Sequence, residues 1–345
     1  MQRRIREFLV EVHEPYGVGP EEYGFVDMFC GIGGASEGAR QAGLRVCLAV
    51  DYCNRLLAIH KANHPGVKHM CSELPSLASV RLPSFGRWHL HGSPPCTKVS
   101  NANRMVSPEE RAHALSLVRW FVEFALNSGA TTWSMEQVPV APVIEVVEQA
   151  MSRCKDKIDY CVVDCAKLGV PQHRKRLFAG SPVLINKIRR RRASKTTVCD
   201  YISNPRGTHT RLEATSGTST RIKDGVKVKI IRRYTWDQLC RPLNETCHTI
   251  TAHNGLRWAN PGTGQKTFKM NSYELKLLQT FPADYRLDCS DTLGRLGVGN
   301  AVPPMAMREF LKPITRKLSR RQTLADPGSP SHCWVGIGSQ LEHLR

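Results

Sequence analysis

The sequence predicts an α/β fold: a parallel, doubly wound sheet with a smaller, irregular and positively charged domain set into its second half. Three observations carry that expectation. Through the first 190 residues short apolar runs alternate with helix-like segments, the rhythm of β-α-β units. From about residue 185 the rhythm fails, and residues 203–229 are rich in Thr, Ser, Gly and basic side chains with little helical periodicity. At 345 residues, 41% hydrophobic and 23% charged, the chain can bury a real core and hold two domains, or one large domain with an insertion.

The elements follow in order. "YGFVDMF" (23–29) reads as a buried strand and "ASEGARQAG" (35–43) as a helix closed by Gly43. "RVCLAV" (45–50) is a second strand, and "CNRLLAIHKANHPG" (53–66) a helix stopped by Pro65 and Gly66. "RWHLH" (87–91) is a short strand leading into a loop. "PEERAHALSLVRWFVEFALNSG" (108–129) is an amphipathic helix with proline at its start and glycine at its end. "TTWSMEQV" (131–138) and "IDYCVVDC" (158–165) are further strands. "LGRLGVGNAVPPMAMREFLKPI" (293–314) reads as a loop followed by a helix that docks back on the sheet. The large domain is therefore expected at 1–183 and 286–317, the small one at 184–285, and a mobile tail at 318–345.

Forty-nine Lys and Arg against thirty Asp and Glu leave a formal charge of +19, which favours a polyanionic partner. The excess is uneven: "KIRRRRASK" (187–195) and "RIKDGVKVKIIRR" (221–233) each hold six basic residues. No apolar run reaches about 18 residues, and the N-terminus lacks an apolar signal core, so an intracellular protein away from membranes is expected. The thirteen cysteines are odd in number, scattered, and never spaced C-x-x-C. Cys47 with Cys53, and Cys161 with Cys165, lack a second matched pair, so buried thiols rather than a metal site are expected.

Two stretches carry chemistry. In "DMFCGIGGASEGA" (27–39), Gly31, Gly33 and Gly34 would let a ligand approach the backbone and leave helix N-terminal amides facing it. Asp51 ends the second strand twenty residues after Gly31, where an acid meets ribose hydroxyls in a Rossmann-type crevice. Ser36 breaks G-x-G-x-x-G, so a tight structural turn, a dinucleotide site and a site for another adenosine-bearing cofactor all stay open. In "HGSPPCTKVSNANR" (91–104), Pro94 and Pro95 stiffen the backbone and hold Cys96 before a polar stretch. Alone, it reads equally as a loop that contains a cysteine.

Together the stretches resemble the cytosine-C5 DNA methyltransferases. The resemblance runs in order from residue 25 to about 310: "DMFCGIGG", "GSPPCTKVS", "MEQV" (135–138), "GVPQHRKRLF" (169–178), "ETCHTITAHNG" (245–255) with "YELKLLQTFPADY" (273–285), and "GVGNAVPP" (297–304). It implies a Rossmann-like methyltransferase sheet with a target-recognition domain, S-adenosylmethionine as cofactor and double-stranded DNA as partner. It implies Cys96 as the nucleophile that adds to cytosine C6, and Glu136 as the group that binds N3 and the exocyclic amine. Arg174 and Arg176 would bring positive charge to base and nucleophile. The cofactor would lie on Phe29, Gly31, Gly33, Asp51, Tyr52, Pro94, Leu117, Asn300 and Val302, with Tyr52 against an adenine face.

Because the duplex shields C6, the base must swing out, and "TKVSNANRMVS" (97–107) suits a loop that closes over it. Ser100 and Arg104, then Arg232 and Arg233, are the expected phosphate contacts. A monomer working where DNA lies, in a prokaryotic cytoplasm or a nucleus, is the default expectation. Thr97, Gln137 and Gly297 stand where the family has Gln, Asn and Gln, and the third-motif acid is not evident in "KHMCSELP" (68–75). A transfer-RNA cytosine methyltransferase would share the fold, but its usual Cys-Phe-Thr signature is missing. A silent DNA-binding scaffold has no reason to keep Cys96, Glu136, Arg174 and Arg176 together. A nicotinamide oxidoreductase leaves the Pro-Pro-Cys loop unexplained.

Overall fold

The computed structural model describes residues 23–75, 86–95, 99, 106–191, 196–212, 218–223, 226–231, 240–252, 256–260 and 267–325. Its centre is a seven-stranded sheet of β1 (Tyr23–Met28), β2 (Arg45–Asp51), β3 (Lys68–Cys71), β4 (Arg87–Gly92), β5 (Thr132–Gln137), β6 (Asp159–Asp164) and β7 (Lys175–Gly180). The spatial order is β3-β2-β1-β4-β5-β7-β6. β1 to β5 are parallel, and β7 is antiparallel to both its neighbours. The helices are α1 (Gly34–Gln41), α2 (Asn54–Asn63), α3 (Pro108–Asn127), α4 (Ala141–Arg153), α5 (Pro182–Arg189), α6 (Ser272–Leu278), α7 (Asp291–Asn300) and α8 (Pro304–Ala325).

Every residue of β1 is buried because helices cover both faces of the sheet, which is why its sequence is apolar without alternation. Val26, Met28, Leu48 and Leu90 pack on Val118, Phe121 and Val147 of α3 and α4. Phe25, Val46 and Phe178 face the other way, onto Ala39, Ile188 and Phe310 of α1, α5 and α8. α3 starts where its sequence implies. Ser107 Oγ accepts the Glu110 N–H at 3.2 Å, the Glu110 carboxylate accepts the Ser107 N–H at 3.0 Å, and Pro108 opens the first turn.

Three elements depart from expectation. β3 forms in "KHMC", which carries too few apolar residues to read as a strand. β7 runs antiparallel in a sheet expected to be parallel throughout; nothing in a strand's own residues encodes the direction of its partner. α7 occupies the stretch read as a loop. Its glycines signal close packing there rather than a break. A Cβ on Gly297 would overlap Ile32, and one on Gly299 would overlap the backbone of Thr251 and Ala252.

The region between α5 and α6 holds a four-stranded antiparallel sheet and a separate two-stranded pair. The strands are β8 (His209–Leu212), β9 (Thr218–Lys223), β10 (Val226–Ile231), β11 (Cys240–Pro242), β12 (Leu256–Ala259) and β13 (Thr267–Lys269). β9 pairs with β10, and the larger sheet has the order β11-β8-β12-β13. Trp258, Leu256 and Met270 share a core with Leu275, Leu278 and Val298, and also with Ile32 and Ile59. The boundary expected at 184 falls inside α5, whose Leu184, Ile185 and Ile188 belong to the large core. α8 continues through 318–325, and residues 326–345 lie outside the described ones.

Gly299→Ala is expected to destabilise the fold by about 2 kcal/mol, the usual scale of forced overpacking, read as a lower urea midpoint.

Candidate active site

The chain leaves β1 toward β2 on one side while β4 pairs on the other, so a crevice opens above their carboxyl ends. A cleft lies there. One wall is the turn after β1, where Phe29 (φ 59°), Gly31 (φ 53°) and Gly33 (φ 94°) are left-handed. That conformation is costly for a bulky residue, and Phe29 is held in it by its neighbours. Its ring meets Trp120 and Phe121 edge-on, with centroids 6.3 Å away in both cases. The Cys30 N–H donates to the Val50 carbonyl at 3.0 Å.

Asp51 closes the turn by accepting the N–H groups of Gly31 and Cys53, each at 2.8 Å. Burial pushes its carboxyl up, and these backbone bonds oppose the shift. Phe29, Gly31, Asp51 and Tyr52 line the cleft, as do Pro94, Asn300 and Val302. Tyr52 is 66% exposed, which leaves its ring accessible to a ligand. Gly33 does not line the cleft: it caps α1, and a Cβ there would meet the Tyr285 hydroxyl at 2.7 Å. Leu117 lines a second hollow that shares Phe29, Asp51, Tyr52 and Pro95 with the first. Glu73 borders that hollow, a carboxylate that the sequence did not single out.

Glu136 ends β5 and reaches the same cleft as Pro94 and Pro95. It is 5% exposed, and its Oε1 lies 2.8 Å from Arg176 Nε in a close ion pair. The Nε–H is out of line with that oxygen, so the buried Oε1 has no well-directed hydrogen bond among the described residues. Gln137 beside it donates from Nε2 to the Pro94 carbonyl at 3.0 Å. The residue that departs from the family pattern thus ties the Pro-Pro loop to β5.

Arg174 stands apart from this group. It is 1% exposed and donates to the carbonyls of Ile250 (3.0 Å), Gly299 (3.3 Å) and Ala301 (3.2 Å). Its guanidinium therefore clamps the backbone on both sides of Asn300 rather than facing the cleft. Cys96, Ser100, Arg104, Arg232 and Arg233 lie outside the described residues. Among the described residues no cluster of His, Cys, Asp and Glu could hold a metal, and no helix is long and apolar enough to cross a membrane.

Residues 23–316 match the family model for the C-5 cytosine-specific DNA methylases. The chain belongs to that family. The methylase is 25% identical over 295 residues to the Type II methyltransferase M.HgiDI of Herpetosiphon aurantiacus, covering 81% of this chain and 89% of the other. It is 25% identical over 301 residues to M.HindV of Haemophilus influenzae, covering 81% and 91%. A putative DNA modification methyltransferase from an E. coli prophage shares its fold, with a TM-score of 0.54 at 17% identity over 86% and 100% of the two chains. An S. pombe Dnmt2 methyltransferase gives 0.56 at 12% identity over 86% and 99%. The chain is a DNA cytosine-C5 methyltransferase, an enzyme class that generally takes its methyl group from S-adenosylmethionine.

One buried group in the methylase's cleft escaped the sequence reading. Asp27, in the otherwise apolar β1, accepts from the Ser36 hydroxyl at 2.6 Å and the Ser36 N–H at 3.1 Å. Ser36 is 2.9 Å from His60 Nε2, and His60 Nδ1 is 2.8 Å from His69. Burial carries the Asp27 carboxyl up to about 7 from an ordinary 3.8, against the pull of the Ser36 bonds. Between those values the folded protein holds a proton that the unfolded chain has released. Stability therefore falls as pH rises through this window, and the full cost of the buried charge is present above it. Asp27→Asn should remove that slope, so the variant's melting temperature should gain on wild type between about pH 4 and pH 7. Arg174→Met, which strips the donors from three buried carbonyls, should lower stability by about 3 kcal/mol in chemical denaturation.

Proposed function

We propose that the enzyme methylates C5 of cytosine in double-stranded DNA through a covalent bond between Cys96 and C6 of a base swung out of the helix. One observation supports this most directly: a buried carboxylate, Glu136, with Arg176 beside it, opens into the cleft that also holds Pro95 and the glycine turn. Cytosine C5 is a poor nucleophile, and a thiolate added to C6 makes it electron-rich. Cys96 follows directly on Pro95. Glu136 binds N3 and the exocyclic amine and holds a proton there as negative charge builds in the ring. Arg176 keeps the carboxylate in place and offsets its charge. Once C5 carries the methyl group, loss of the C5 proton restores the ring double bond and expels the thiolate. Arg174 acts on neither base nor thiol; it holds the backbone around Asn300.

The cleft fits S-adenosylmethionine. A Cβ on Gly31 would meet nothing within 4 Å, so a ligand has room to lie against the backbone there. Phe29 and Tyr52 offer aromatic surface, and Asp51 has lone pairs left beyond its two backbone donors. Pro94, Asn300 and Val302 complete the cleft, and Leu117 and Glu73 the neighbouring hollow, where Glu73 supplies the carboxylate missing from the third motif. Gly33 shapes the turn without touching the ligand. When bound, the cofactor supplies an electrophilic methyl group on a sulfonium. Ser100, Arg104, Arg232 and Arg233 contact phosphates in a chain whose +19 charge favours them.

Transfer of labelled methyl groups to duplex DNA tests the proposal. Wild type should yield 5-methylcytosine, Cys96→Ala none, and Glu136→Gln a kcat lower by about a hundredfold with cofactor affinity retained. DNA containing 5-fluorocytosine, whose C5 has no proton to lose, should stay attached to the protein through Cys96. Label that survives Cys96→Ala, or label on transfer RNA alone, would overturn the proposal.

A further inference from the structure

A continuous chain of polar side chains runs between β4 and β5 and ends at the cleft. Tyr23 Oη lies 3.0 Å from Thr132 Oγ1, which lies 2.9 Å from His89 Nδ1. His89 Nε2 and His91 Nδ1 each lie 2.8 Å from the Ser134 hydroxyl, and His91 Nε2 lies 3.0 Å from Ser93 Oγ. Both histidines and Ser134 are fully buried, and the two imidazoles stack against Phe25 at 5.6 and 6.1 Å. Burial drives both rings far below the usual histidine range, His91 to about 3, so both are neutral.

A neutral imidazole has one N–H and one bare nitrogen, so each ring donates on one side and accepts on the other. The hydroxyls pass that polarity along the chain, and every interior link is made. Such a network is rigid when complete and costly when broken, because His89, His91 and Ser134 sit where water cannot replace a lost partner. β4 otherwise fills its buried positions with Trp88 and Leu90, and apolar residues at 89 and 91 would pack the sheet as well. The methyl-transfer chemistry uses neither histidine.

What the chain joins gives it a purpose. Ser134 lies two residues before Glu136 on β5, and Ser93 lies three before Cys96. The loop backbone is already tied at the Ser93 N–H, which donates to Met28, and at the Pro94 carbonyl, which accepts from Gln137. We propose that His91 and Ser93 are positioning residues: His91 bridges Ser134 to Ser93 and sets the nucleophile loop against the strand that carries Glu136. Thiol and carboxylate then meet the same base at a constant separation. The inference rests on the roles assigned above to Cys96 and Glu136.

Two variants of nearly equal shape isolate the hydroxyl. Ser93→Thr keeps it and Ser93→Val lacks it. The valine variant should show kcat about tenfold below the threonine variant, the scale of one hydrogen bond, with slower capture of 5-fluorocytosine DNA by a similar factor. KM for DNA, S-adenosylmethionine affinity and melting temperature should match between the two. Equal kcat in both variants would overturn the inference. So would a valine variant whose cofactor affinity and melting temperature fall along with kcat, since that is a structural defect. Cys96→Ala assayed alongside separates the layers. Residual methylation there defeats the nucleophile assignment itself, whereas an essential Cys96 with equal Ser93 variants defeats only the positioning role.

Discussion

The ion pair of Glu136 and Arg176 constrains how the large sheet is wound. A carboxylate taken out of water at the end of a buried strand is unstable unless a cation accompanies it. Arg176 sits near the start of its own strand, so β7 must run against β5 for that start to lie at the carboxyl edge. The register does this, pairing Glu136 with Phe178 and Gln137 with Leu177. Were β7 parallel, Lys175 and Arg176 would lie at the opposite edge, away from the crevice. The single reversed direction in the sheet is thus what lets an acid be buried where the cleft opens.

The same economy recurs around the cleft. Its walls come from distant parts of the chain, and buried polar contacts join each to its neighbour. Asp51 latches the turn after β1, Gln137 latches the Pro-Pro loop, and Arg174 latches the backbone around Asn300. Apolar packing brings these segments together without specifying their position to a fraction of an ångström. A hydrogen bond with a fixed donor and acceptor does specify it.

Much of this was legible in the residues and some was not, for physical reasons. Periodicity located β1, β2 and α3, and a capping box with proline marks where α3 begins. Phe29, Gly31, Asp51, Tyr52, Pro94, Glu136, Asn300 and Val302, chosen from motifs alone, line one cleft. The direction of β7 was hidden because pairing is a long-range choice that local composition does not record. α7 was misread because Gly294, Gly297 and Gly299 lower helix propensity, whereas the contacts that demand them, with Ser272, Ile32 and the backbone of Thr251 and Ala252, lie far off in sequence. Arg174 and Arg176 look alike in a motif, and only tertiary context separates a backbone clamp from a carboxylate's partner. Asp27 was passed over because a single polar residue in an apolar run carries no pattern, and the histidines of β4 because their alternation with Trp88 and Leu90 is that of a strand with one face in water.

The placement of α8 bears on the order in which the chain is made. Phe310, Leu311 and Ile314 cover Phe25, Ala39 and Phe178, and Asn300 and Val302 finish a cleft begun at Phe29. The ribosome releases residues 23–180 long before any of these, so a nascent chain carries a sheet whose second face is covered only in part, by α1, and a ligand site with a wall missing. Until α7 and α8 emerge the cleft is incomplete and an apolar surface needs shielding. A copy of this DNA-modifying enzyme that stops short of residue 297 therefore lacks part of the wall of its ligand site.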